Sequence, residues 1–208
     1  MRLLTFLALF GAVSVTMVSC ETFRRQLLGN GYVDVTMESR TCLNNKPLSV
    51  PVRLVGEASV AGARRTSFNS DKRFLAMDGI KNPKDKIDAD ERGHLVASTI
   101  GGPADDSWNM VPQRTSVNRK IAKESNLMGR WDEFEKWMVE EIGRSKTVYF
   151  TIEVNYERAS GCRPVSFKVD GRSSAKPSTG YRGIFDNRPG GPFSTVAQTQ
   201  KEMKNKKS

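Results

Sequence analysis

The chain of 208 residues contains one histidine, His94, in the run Asp90-Glu91-Arg92-Gly93-His94-Leu95. Imidazole exchanges a proton near neutrality, so base chemistry at that pH has one obvious place to occur. Arg92 brings a permanent charge whose planar fork fits two phosphate oxygens. Asn109 and Asn118 follow, and a carboxamide oxygen is a hard donor suited to Mg2+ or Mn2+. Hydrolysis of a phosphodiester needs a readied water, neutralised charge and help for the departing oxyanion. These residue types point to metal-assisted attack on a phosphate.

Several elements must position those side chains. Val33, Val35 and Met37 alternate as on a strand, and Leu48 to Val55 reads as another, with Pro51 marking it as an edge. Ala58 to Asp71 reads as a loop, and the charged stretch Asp78 to Glu91 as a solvated approach to His94. Leu95 to Ile100 reads as extended, broken by Gly101-Gly102-Pro103. A helix is expected from about Asn118 to Ile142, because Leu127, Trp131, Phe134, Trp137, Met138 and Ile142 recur at helical spacing; Gly143 stops it, and a break could fall between Ser125 and Gly129. Thr147 to Tyr156 and Arg163 to Asp170 alternate as two neighbouring strands. From Arg172 the composition turns to Ser, Pro, Gly and Lys.

Composition bounds the rest. Arg2 followed by the apolar run Leu3 to Val18 reads as a signal peptide over residues 1–20, with acylation at Cys20 as the alternative. Residues 21–185 suffice for one domain, and 186–208 read as a basic, disordered tail. The net charge of +10 falls to +9 without the leader, which carries Arg2 and no acid. Such a surplus favours polyanions. No later segment is apolar enough to span a bilayer, so the expected location is extracellular. Removal of the leader leaves Cys42 and Cys162 as a candidate disulfide in an oxidising compartment.

Read in order, Glu91-Arg92-Gly93-His94-Leu95, Ile100-Gly101-Gly102-Pro103, Asn109-Met110-Val111-Pro112-Gln113 and Asn118 resemble the DNA/RNA non-specific endonuclease family. Gly129-Arg130-Trp131, the Trp131 to Glu135 spacing, and Arg163-Pro164 before Phe167-Lys168-Val169 extend the likeness over roughly residues 85 to 171. The resemblance implies an α+β, ββα-metal nuclease fold with a central antiparallel sheet. It implies His94 as general base, Asn118 as the direct ligand of magnesium or manganese, and DNA or RNA bound through phosphates and cut to 5′-phosphates. Arg92 would face the phosphate, Glu135 would orient metal-held water, and Asn109 and Glu91 would support the loop and ligand. Gly93 would let the chain turn closely behind His94.

Three departures stand out. Glu91 replaces the usual Asp, with Asp90 as a rival. Extra residues lie within Arg119 to Met128, making Glu124 a rival to Glu135. The upstream phosphate-binding arginine could be Arg64, Arg65 or Arg73. Asn118 could instead cap a helix. A catalytically silent relative binding nucleic acid or acidic glycan, and an effector toxin with the same chemistry, are the alternative readings.

Overall fold

Alternation of apolar and polar side chains builds most of the molecule. The computed structural model describes residues 20–61, 90–118, 131–158, 161–188 and 198–199. Its elements are β1 (Cys20–Gln26), β2 (Gly31–Thr41), β3 (Pro47–Ala58), β4 (Asp90–His94), β5 (Met110–Arg114), α1 (Thr115–Asn118), α2 (Trp131–Gly143), β6 (Val148–Asn155), β7 (Ser166–Ser173), β8 (Lys176–Asp186) and β9 (Gln198–Thr199). Seven strands form one antiparallel sheet in the order β1-β2-β3-β6-β7-β8-β9, and β4 and β5 form a separate hairpin.

One face of the large sheet is dry. Val33, Val35, Leu54, Phe150, Ile152, Phe167, Val169 and Phe185 are buried on it. Helix α2 supplies Trp131, Phe134, Met138 and Ile142, all buried, at the spacing that makes one helical stripe. Trp131 is the hub, meeting Phe134, Phe167 and Phe185 edge-on with centroids 5.6, 5.4 and 5.2 Å apart. The disulfide expected between Cys42 and Cys162 is present, with Cα atoms 4.8 Å apart across a sequence separation of 120. Among the described residues no helix is long and apolar enough to cross a membrane.

Several expectations need correction. Pro51 does not mark an edge, because β3 lies between β2 and β6. The β2–β3 register slips at Thr36/Met37, opposite Pro51, and β3 pairs with β6 only from Arg53 onward, so the missing N–H falls outside that ladder. Leu95 to Ile100 is not a strand: a bend leads into a 3-10 turn at Ser98–Ile100. Gly101 then takes φ 95°, and any Cβ there would lie 2.4 Å from the Leu28 carbonyl oxygen. The composition after Arg172 hid β8, and the presumed tail supplies buried Asn187 and the short β9. Of the helix expected from about Asn118 to Ile142, the part from Trp131 onward is in α2, while residues 119–130, with the expected break and Glu124, lie outside the described residues.

Candidate active site

The hairpin carries the chemistry-bearing run. His94, the last residue of β4, pairs with Met110, and Glu91 pairs with Gln113. Strand alternation puts Arg92 and His94 on one face of β4. Gly93 is not needed for a turn, since it lies within the ladder opposite Val111. Its reason is space: a Cβ there would sit 2.1 Å from Gln113 Oε1 and 2.5 Å from Gln113 Cβ. The Gln113 side chain therefore lies directly over the backbone before His94.

His94 Nε2 lies 3.1 Å from the carbonyl oxygen of Ala104. A carbonyl only accepts, so Nε2 carries the proton in this bond. In the neutral ring the lone pair then sits on Nδ1. The loop supplying that carbonyl is fixed by Asn109, which is fully buried. Its Oδ1 accepts the Val96 N–H at 2.7 Å, and its Nδ2 donates to the Val96 and Pro103 carbonyls at 2.9 and 2.8 Å. The Leu95 N–H donates to the Asn109 carbonyl at 2.9 Å, closing the loop base. The expected supporting position of Asn109 thus has a geometric form: one amide satisfies three backbone groups of the segment that orients His94.

Asn118 is the last residue of α1 and so not an N-cap. Its Nδ2 donates to Glu91 Oε2 at 2.7 Å. This bond selects Glu91 over Asp90 as the residue beside Asn118; the extra methylene relative to Asp still reaches. Glu91 lies three residues before His94, about 10 Å away along the strand. With Nδ2 committed, the amide oxygen is the donor left for a hard cation. Among the described residues no group of three or more His, Cys, Asp or Glu forms a ligand cluster. The donor set fits a hard ion that keeps most of its waters and takes one carboxamide oxygen, not a soft-ligand site.

Asp90 does something else. It is no part of a solvated approach: its carboxylate accepts two hydrogen bonds from Arg163, Nε to Oδ2 and Nη2 to Oδ1, both at 2.7 Å, with side chains 1% and 8% exposed. Asn187, also fully buried, accepts the Arg114 N–H at 2.7 Å and donates to the Pro112 and Pro164 carbonyls at 3.1 and 2.8 Å. Sequence reasoning assigned no role to Arg163, Asn187 or Gln113. The signal for Arg163 was its place in the Arg163-Pro164 pair; nothing in the turn-like run after Ile184 marked Asn187. Arg92 and Glu135 are half-buried, on β4 and α2; the bond that joins Asn118 to the hairpin runs to Glu91, not Glu135. Arg64, Arg65 and Arg73 lie outside the described residues.

Comparison with known proteins agrees with this arrangement. The family model for DNA/RNA non-specific endonucleases matches residues 61–175, more than half of the chain. No curated protein matches the chain. Among solved structures, NucA from Streptococcus agalactiae with no metal bound is 11% identical with a TM-score of 0.53, covering 91% of this chain and 82% of that one. NucA from the same organism with magnesium bound is 12% identical with a TM-score of 0.55, covering 85% and 92%. At such identities the likeness is one of fold, and that fold is the α+β, ββα-metal arrangement. The matched span encloses the hairpin, its loop and both helices, and the chain belongs to the DNA/RNA non-specific endonuclease family.

Proposed function

We propose that this nuclease is a secreted, divalent-metal-dependent endonuclease that hydrolyses phosphodiester bonds of DNA, RNA or both. The observation that carries the reading is the hydrogen bond from His94 Nε2 to Ala104, because it leaves Nδ1 as the proton acceptor. His94 takes a proton from water, and the water oxygen attacks phosphorus in line. The bond from phosphorus to the 3′ oxygen breaks, leaving a 5′-phosphate and a 3′ oxygen that takes a proton from solvent to become a hydroxyl. Arg92, on the same face of β4, holds phosphate oxygens. Asn118 would hold Mg2+ or Mn2+ through its amide oxygen, with Glu91 locking the amide and Glu135 orienting coordinated water. When bound, the ion neutralises charge on the phosphate and on the departing oxygen. Contacts to phosphates and not base edges suit a substrate range without sequence preference.

Supercoiled DNA and structured RNA, digested side by side with Mg2+, Mn2+ or chelator, test the reading. His94→Ala is expected to abolish cleavage while leaving salt-sensitive DNA binding. Asn118→Ala is expected to raise the metal concentration for half-maximal activity. Cleavage by His94→Ala at the parental rate would end the proposed mechanism. The silent-relative alternative drew on Glu91 in place of Asp and on the extra residues within Arg119 to Met128; the bond from Asn118 to Glu91 speaks against the first ground, and the second lies outside the described residues. The disulfide between Cys42 and Cys162 supports export to an oxidising compartment; the N-terminal residue of protein recovered from the medium tests it.

A further inference from the structure

Among the described residues, the hairpin β4–β5 shares no strand pairing with the seven-stranded sheet. Its tilt is therefore set by loops and side chains. Two side chains from the sheet end grip it, one strand each. Arg163 holds Asp90 of β4 in a fork, and Asn187 holds the Arg114 N–H and the Pro112 carbonyl of β5. Asp90 and Arg114 are directly paired, so both grips converge on one rung.

The gripping side is itself anchored. The Val165 N–H donates to the Asn155 carbonyl at 2.8 Å, and the Asn187 N–H to the Val165 carbonyl at 2.9 Å. Asn187 Nδ2 reaches Pro164 as well, and the disulfide fixes Cys162, next to Arg163. A buried ion pair adds little net stability over apolar packing; here its two bonds, Nε to Oδ2 and Nη2 to Oδ1, fix the orientation of Asp90 against Arg163. Asn187 also lies beyond the residues that the family model matches.

We infer that Arg163 and Asn187 are positioning residues, which fix the His94 ring by clamping the far rung of its hairpin. The clamped rung is four residues from the His94–Met110 pair, a lever of about 13 Å. A tilt of about 5° there would move the imidazole by about 1 Å, and a displacement of that size can cost roughly 100-fold in rate. The consequence for catalysis rests on the proposed role of His94 as base; the geometric consequence does not.

The single histidine supplies the test, because one imidazole gives one ring Hε1 resonance in the proton NMR spectrum. Asn187→Ala and Arg163→Lys, in the full chain, are expected to lower kcat on supercoiled DNA by about 10- to 100-fold. The KM is expected to stay within about twofold, unfolding to remain cooperative, and the His94 resonance to move. If Asn187→Ala does not fold, Arg163→Lys, which keeps the buried cation, decides alone. An unmoved resonance in a folded variant overturns the clamp, whether or not kcat falls. A moved resonance with parental kcat upholds the clamp and removes His94 as the base.

Discussion

Replacing Asn109 by Asp would change one nitrogen to oxygen at a fully buried site. The substituted side chain can still accept the Val96 N–H, held at 2.7 Å in the parent. It cannot donate, when ionised, to the Val96 and Pro103 carbonyls that Nδ2 serves at 2.9 and 2.8 Å. Two carbonyls then face a buried negative charge. Each unsatisfied group costs about 1–3 kcal/mol, and an uncompensated buried charge about 3–5 kcal/mol. These overlapping figures place the loss at about 4 kcal/mol near neutrality. Burial and the two facing carbonyls raise the new carboxyl's pKa in the folded state above its unfolded value. The variant is therefore most stable below that unfolded value and loses stability as pH rises through the raised one. Urea midpoints at pH 4.5 and 7.5, for parent and variant, read the effect directly. Cleavage should fall with stability, because the same loop presents the Ala104 carbonyl to His94. Equal midpoints for variant and parent at pH 7.5 would refute the amide orientation and the loop-anchoring role built on it.

Gly93→Ala should destabilise by about 1–3 kcal/mol and impair cleavage, since the new methyl meets Gln113 Cβ as well as its flexible end; an unchanged melting temperature would contradict the packing. Replacing both Cys42 and Cys162 by Ser removes a cross-link over a separation of 120 residues, which the chain-entropy relation values at about 5 kcal/mol; urea unfolding that shows under about 1 kcal/mol lost would show that this relation fails here. Tyr181 has a buried hydroxyl with no hydrogen-bond partner among the described residues, and burial, then the charges of Glu133 and Asp132, push its pKa up. A raised pKa means stability that is full below the unfolded value and drains as pH rises above it. Tyr181→Phe should thus gain up to about 1 kcal/mol and shift alkaline unfolding, followed by tryptophan fluorescence, to higher pH; a downward shift would contradict the account.

What the sequence disclosed follows from the range of the interactions. Strands β2, β6 and β7 were legible because each buries every second residue, a local signal. Strand β8 was not, because Pro177, Gly180 and Gly183 interrupt its pattern; among its described side chains the buried hydrophobic ones are Tyr181 and Phe185. Strand β1, largely exposed on both sides, has no alternation to read. At the site, the ordered motif from Glu91 to Asn118 named residues that the fold joins by hydrogen bonds. Asp90 reads as solvated by type, yet its partner is 73 residues away in sequence. No local pattern announces such a pairing, and the same holds for Asn187 and Arg114.

The bond between Cys42 and Cys162 has one more consequence. It encloses strands β3 to β6, both helices and the reactive hairpin, together with residues 62–89 and 119–130. A peptide-bond cut anywhere inside that ring would open the circle without releasing a fragment. Nicked protein would migrate as one band until a thiol is added and then as two. Cut once within the ring, the chain loses backbone continuity there and keeps both halves of its core in covalent company.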